Sequence, residues 1–164
     1  MLVLGIDPGS INTGYGVVEK GRGGRVTRVT DGVIKPVKGA TLADRLAFIS
    51  DGLNAVIRAY PLDAVAVEAV FFAKNVKSAV TLGHARGVAL ASAANAGLRV
   101  FEYSPRTIKL SVTGYGNAAK ADMQKMIRLI LKIDGPIPPD AADALSAALC
   151  HINTFNATID RLTK

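Results

Sequence analysis

Two acidic residues, Asp7 and Glu68, each end a short apolar run of the kind that forms a buried strand. These runs are residues 2–6 (LVLGI) and 65–67 (VAV). A carboxylate in such a place is rarely buried unless it is paired or bound to a metal ion. Asp7 is also compatible with a simple turn before a Pro-Gly pair. Glu68 is harder to explain without a partner, because burying it is costly.

A second acidic pair, Asp140 and Asp143, lies at the start of a predicted helix. Residues three apart on a helix share one face, so both carboxylates are expected on the same side. Each also has a simpler interpretation. Asp140 is a suitable N-cap residue, and Asp143 is an acid of the first turn, where the helix dipole favours negative charge. The sequence leaves these alternatives open.

If the two pairs converge, they form a cluster with oxygen ligands only. Oxygen ligands select hard cations such as Mg²⁺ or Mn²⁺. Two such ions, roughly 3.5–4 Å apart, can clamp a scissile phosphate, one activating water and the other stabilising the leaving oxygen. The predicted chemistry is therefore metal-dependent hydrolysis of a phosphodiester.

The bulk composition is consistent with an anionic partner. The chain has 164 residues and a net charge of +7, which suits one compact domain that binds nucleic acid or a membrane surface. Its single cysteine, Cys150, forms no internal disulfide and is expected to be buried. We find no apolar stretch near the roughly twenty residues that span a bilayer, and no signal peptide. A cytoplasmic protein is expected.

Hydrophobic patterning predicts the elements that must position these acids. Three strands in a meander are expected at residues 2–6, 14–18 and 26–34, with further strands at 62–67 and 99–103. Helices are expected from residue 41 to Pro61, at 78–96, from Ser104-Pro105, at about 120–131 and from 140 to about 155. This order indicates a mixed α/β sheet with helices on its faces. One domain is expected over residues 1–164, with a disordered tail from about residue 156.

Several of these segments together resemble the RuvC family of crossover junction endodeoxyribonucleases. The resemblance extends from Leu4 to about His151, with the motifs in the family's order. One departure is His84, where the family usually has Gln. The matching segments are 6–10 (IDPGS), 13–16 (TGYG), 68–75 (EAVFFAKN), 82–87 (LGHARG), 101–103 (FEY) and 140–144 (DAADA).

The resemblance implies a fold, an activity and partners. It implies an RNase H-like domain that forms a homodimer and resolves Holliday junctions by symmetric nicks with 5′-phosphate and 3′-hydroxyl ends. The implied partners are four-way junction DNA and the RuvA–RuvB branch-migration complex. The implied catalytic residues, binding two Mg²⁺ or Mn²⁺ ions, are Asp7, Glu68, Asp140 and Asp143.

Other site residues follow by matching position. Lys109 and Lys120 match family lysines near the scissile phosphate, although each is also compatible with a solvated surface lysine. Phe71 matches an aromatic that stacks at the unpaired junction centre, although it could be plain core. Four further cations are candidates for contacts to backbone phosphates: Lys74, Lys77, Arg86 and Arg106. His84 and His151 are expected to be core or surface residues rather than metal ligands.

Two questions stay open from sequence. The helix at 78–96 carries many small residues, so it is a candidate dimer face, but ordinary packing on the sheet explains them equally well. Three other functions are compatible with parts of the pattern. They are a catalytically inactive junction-binding module, an ATP-binding domain like those of actin and sugar kinases, and a nuclease that cuts RNA–DNA hybrids.

Overall fold

A computed structural model describes residues 1–69 and 76–162 of the chain, with side chains up to residue 155. The strands of this part are β1 (Leu2–Asp7), β2 (Thr13–Lys20), β3 (Val26–Ile34), β4 (Ala64–Glu68) and β5 (Val100–Tyr103). The helices are α1 (Leu42–Ala59), α2 (Val76–Asn95), α3 (Pro105–Thr113), α4 (Lys120–Leu131) and α5 (Pro139–Leu162).

The five strands form one mixed sheet in the order β3-β2-β1-β4-β5. The first three strands pair antiparallel through short connections. The pairs β1–β4 and β4–β5 are parallel, and each of these connections contains a helix, as parallel strands require. The predicted meander followed by parallel strands is therefore confirmed.

Helices cover both faces of the sheet. Val3 and Ala66 face the side of α3, α4 and α5, whereas Leu4, Val65 and Val67 face the side of α1 and α2. This alternation follows from the two-residue period of a strand. It explains why β1 and β4 are apolar almost throughout, since neither face meets water.

Helix α5 lies directly against the centre of the sheet, because two strand residues have no side chain. A Cβ added at Gly5 would overlap the carbonyl oxygen of Ala144, and one at Gly14 would overlap that of Asp140. Glycine at both positions allows the helix backbone to approach the strand backbone closely. This approach places the first turn of α5 beside the end of β1.

The predicted helix starts are largely confirmed. Thr41 caps α1, where its hydroxyl accepts a hydrogen bond from the backbone N–H of Asp44. Ser104 caps α3 in the same way, with Pro105 at the first helical position. Helix α5 continues to Leu162, beyond its predicted end near residue 155. None of the described helices is long and apolar enough to cross a membrane.

Candidate active site

The sheet topology brings the first two acids together. Asp7 is the last residue of β1, and Glu68 is the last residue of β4. These strands are parallel neighbours, with Ile6 opposite Val67, so their carboxyl ends meet at one edge of the sheet. Ligand sites in such sheets commonly lie beyond this edge.

Helix α5 adds the other two acids. Asp140 is the second residue of the helix, and Asp143 lies three residues later on the same face. The first turn of α5 packs on Gly14, which pairs with Asp7 across β1 and β2. The four predicted acids therefore come from three elements that meet at one place.

The carboxylates act on one another by charge, as expected for side chains that lie near one another. Burial and, after it, the charges of Asp143, Glu68 and Asp140 together raise the pKa of Asp7 to about 7, while Lys120 opposes them. Burial, followed by the charge of Asp143, also raises the pKa of Glu68 above its usual range. Neighbouring negative charge thus makes Asp7 and Glu68 harder to ionise.

Two lysines face these acids. The Lys120 ammonium donates a hydrogen bond of 2.8 Å to Oδ2 of Asp143, and this contact raises the pKa of Lys120. Lys109 of α3 lowers the pKa of Glu68 through its charge. A cavity of about 200 Å³ lies between them and is lined in part by Glu68, Lys109, Lys120 and Asp143. We call this cavity the catalytic cleft.

The chemistry of the cleft suits divalent cations. Among the described residues, no three Asp, Glu, His or Cys side chains are grouped so that they could hold a metal ion as placed. The four carboxylates nevertheless act on one another by charge, and the two lysines only partly compensate them. Oxygen donors with excess negative charge fit Mg²⁺ or Mn²⁺, which would have to draw the side chains closer.

The other predicted residues lie elsewhere or outside the described part. Arg86 of α2 forms an ion pair with Glu102 of β5. Arg106 is exposed and packs beside Gly116. Phe71 and Lys74 lie outside the described residues. The structure thus brings the four acids and two lysines together, but not Arg86.

Another cleft is lined by an arginine, Arg45, that the sequence analysis did not single out. It has a volume of about 360 Å³, and its lining includes Ser10, Arg45 and Lys77. Arg45 lies in the first turns of α1, where an isolated arginine is indistinguishable from any surface cation. Only the fold brings it beside the loop that follows Asp7.

His151 is buried rather than available as a ligand. Its Nδ1 lies 2.7 Å from the Tyr103 hydroxyl, and its ring packs 4.3 Å from that of Phe101. Burial lowers the pKa of the His151 imidazole. It raises the pKa of the Tyr103 hydroxyl to about 12. His84 is exposed. Both histidines are therefore core or surface residues, as predicted.

Solved structures with this architecture define the class. RuvC of Thermus thermophilus aligns with a TM-score of 0.87 at 34% identity, covering 96% of this chain and 97% of the other. A structure of the same protein in complex with Holliday junction substrate aligns with a TM-score of 0.88 at 34% identity, covering 98% of this chain and 96% of the other. The yeast mitochondrial Holliday junction resolvase has the same fold, with a TM-score of 0.70 at 13% identity. This alignment covers 97% of this chain and 80% of the yeast protein. The predicted RNase H-like architecture is confirmed.

Sequence comparison then shows the family. The model of "Crossover junction endodeoxyribonuclease RuvC" matches residues 3–151. Enzymes of that name from Syntrophotalea carbinolica and Pseudoalteromonas atlantica are 49% and 50% identical. The alignments cover 95% of this chain and 96% of the first relative, and 93% and 87% for the second. This chain belongs to the RuvC family of endodeoxyribonucleases.

Proposed function

We propose that this chain resolves Holliday junctions by cutting two strands symmetrically in a metal-dependent hydrolysis, leaving 5′-phosphate and 3′-hydroxyl ends. The observation that carries the proposal is the cluster of four carboxylates where β1, β4 and α5 meet. The Thermus relative, described in complex with Holliday junction substrate, supports the choice of DNA.

The carboxylates of Asp7, Glu68, Asp140 and Asp143 would hold two Mg²⁺ or Mn²⁺ ions. Such ions, when bound, activate water and stabilise the leaving oxygen. The protein's own part is to present ionised oxygen ligands. Asp7 has a raised pKa, so neighbouring positive charge is needed before its carboxyl is fully ionised at neutral pH.

Lys109 and Lys120 are proposed to neutralise the scissile phosphate. Both line the catalytic cleft beside Glu68 and Asp143. Lys120 donates to Asp143, so its ammonium is held at the cleft before any substrate arrives. A cation fixed in advance stabilises developing phosphate charge without reorganisation.

Contacts outside the cleft are proposed to position the DNA. Lys77 lies on the cleft shared with Arg45, beside the loop that follows Asp7. Phe71 is proposed to stack on an unpaired base, and Lys74 to contact a phosphate, on the resemblance alone. Arg86 and Arg106 are proposed to contact backbone phosphates of the DNA. Arg86 also forms an ion pair with Glu102, which partly neutralises its charge.

A homodimer is proposed because a four-way junction with near two-fold symmetry needs two matched cuts. Helix α2 supports it, since its two faces differ. Ala85, Ala89 and Ala93 pack on the sheet, whereas a Cβ at Gly83 or Gly87 would meet no atom of the described residues within 4 Å. The outward face is therefore free to pack against a second subunit.

The remaining proposals rest on the family resemblance. We propose one nuclease domain over residues 1–164, action in the cytoplasm, and cooperation with a RuvA–RuvB branch-migration complex. A catalytically inactive junction-binding module is less favoured, because acids repel DNA phosphates unless cations bridge them.

Cleavage of a synthetic mobile four-way junction tests the proposal. In Mg²⁺ or Mn²⁺ we expect paired symmetric nicks from the native chain, and binding without cutting from Asp7→Asn. The matched control is Asp51→Asn, which removes an exposed acid of α1 and should cut normally. Full activity of Asp7→Asn, or no cutting with either metal, would refute the proposal.

A further inference from the structure

Helix α4 carries a second and larger cavity on the side away from the catalytic cleft. Its volume is about 650 Å³, and it lies between α4 and the segment that leads to α5. We call it the α4 groove. Its lining includes three cations and three large apolar side chains: Lys125, Arg128, Lys132, Leu129, Ile133 and Ile137.

The α4 groove is separate from the catalytic cleft. The cleft takes Lys120 and Met123 from α4, whereas the groove takes Lys125, Arg128 and Leu129. None of the described residues lines both cavities. A molecule in the groove would therefore leave the carboxylates and their lysines accessible to DNA.

The groove combines an excess of positive charge, three cations against the one acid Asp134, with an exposed apolar surface. Lys125, Arg128 and Lys132 form no salt bridge within the described part of the chain. Leu129 is 61% exposed, although it projects from a helix whose other apolar residues are largely buried. This surface therefore offers three cations that form no salt bridge in the described part, and beside them an exposed apolar side chain.

The backbone at Lys132 supports a role for the cation there. Lys132 ends α4 with φ of 51°, and it is the one non-glycine residue with positive φ among those described. Glycine is the usual residue at such a helix end, because a Cβ makes this conformation unfavourable. Lysine at this position places a charged side chain on the groove despite that cost.

The lining favours a peptide over DNA. Contacts to the DNA backbone use cations and hydrogen-bond donors, and they gain little from an apolar cavity. Ile133, Ile137 and Leu129 supply that apolar lining here. A peptide with apolar side chains flanked by acidic ones matches both the cavity and the charges.

We propose that the α4 groove is a docking site for an acidic, apolar segment of a partner protein. The apolar side chains of that segment would enter between Leu129 and Ile137, and its carboxylates would pair with Lys125, Arg128 and Lys132. The proposal is independent of the nuclease activity, because it uses no residue of the catalytic cleft.

Fluorescence anisotropy of a labelled peptide tests the proposal with the full-length chain. The probe is a short peptide in which Leu and Phe alternate with Asp, compared with the same peptide carrying Asn for Asp. We expect the acidic peptide to bind and Arg128→Glu to weaken binding about tenfold. Leu129→Asn should also weaken it, and amide NMR shifts should concentrate at residues 121–137.

The matched control is Arg22→Glu, which makes the same charge change in the exposed β2–β3 turn and should not affect peptide affinity. Lys125→Glu provides a second groove variant in case Arg128→Glu unfolds. Absence of peptide binding, or an equal loss with Arg22→Glu, would overturn the proposal. So would groove variants that weaken four-way junction binding and leave peptide affinity unchanged, because the surface would then be one for DNA.

Discussion

At the scale of single residues, the carboxyl of Asp7 lies in an environment that disfavours its charged form. Its carboxyl is largely buried and faces Asp143, Glu68 and Asp140, and its pKa rises to about 7. The native state therefore holds a proton on Asp7 at pH values where an unfolded chain, with a pKa near 3.9, has released it. Stability of the metal-free protein must then fall as pH rises between these two values.

Asp7→Asn is expected to stabilise the metal-free protein at pH 8, because it removes a carboxylate that is costly to ionise. The gain should be about 1–3 kcal/mol, a discounted estimate because the group is partly solvated. The gain should vanish near pH 4, where the native carboxyl is neutral. Urea unfolding in a chelator at both pH values measures it, with Asp51→Asn as control. A gain independent of pH would contradict this explanation.

Lys120→Gln is expected to slow the cutting step and spare junction affinity. The ammonium contacts Asp143 at the cleft, and removing one preorganised charge from such a site commonly costs about 10²-fold or more in rate. Single-turnover cleavage at saturating protein separates the rate from binding. The control is Lys38→Gln, an exposed loop lysine, which should retain full activity. Equal loss of affinity and rate would indicate a binding role instead.

At the scale of elements, the position of the site depends on how closely α5 approaches β1. The strand residue Gly5 has no room for a Cβ against Ala144, and Asp140 and Asp143 lie on the same helix. The contact therefore supports the fold and also sets the separation of the acid pairs. A small change far from the acids should affect both.

Gly5→Ala is expected to lower stability by about 1–3 kcal/mol, the usual cost of overpacking a tight interior contact. It should also lower cleavage, because α5 must move away from β1 and carries two acids with it. Thermal unfolding and junction cleavage measure the two effects. Gly21→Ala is the matched control, since a Cβ there meets its nearest atom, the Arg25 carbonyl oxygen, at 3.8 Å. A stable, fully active Gly5→Ala protein would contradict this interpretation.

For the whole molecule, α2 separates an inner alanine face from an outer glycine-containing face. The alanines of the inner face pack inside the molecule, as one of the two sequence interpretations expects. The outer face has the open space that the proposed subunit contact requires. Packing inside the molecule thus explains the alanines, while a subunit contact on the outer side stays a proposal. Paired cuts in one junction would depend on the outer side.

Gly87→Arg is expected to convert the protein to a monomer, because a long charged side chain would enter the proposed subunit contact. Sedimentation velocity measures the state, and the monomer should make unpaired nicks instead of paired ones. Ala59→Arg adds the same side chain at an exposed position near the end of α1 and should leave the assembly unchanged. A dimeric Gly87→Arg protein would show that the subunits meet elsewhere.

The sequence by itself determined the local elements and singled out the four acids as candidates. Helix starts at Thr41 and Ser104 depend on contacts between residues three apart, and strand burial depends on a two-residue alternation. Both can therefore be predicted from residues that are close in sequence. Asp7 and Glu68 stood out because an acid next to an apolar strand is costly wherever the chain folds.

Only the tertiary structure decided which distant groups meet. The hydrogen bond of Lys120 to Asp143, the pairing of Arg86 with Glu102 and the position of Arg45 each join elements far apart in sequence. The α4 groove likewise requires a helix and a later segment to enclose one space. Local patterns determine which face of an element is buried. The neighbour of each exposed cation depends instead on how whole elements pack, and the spacing of residues close in sequence does not determine that packing.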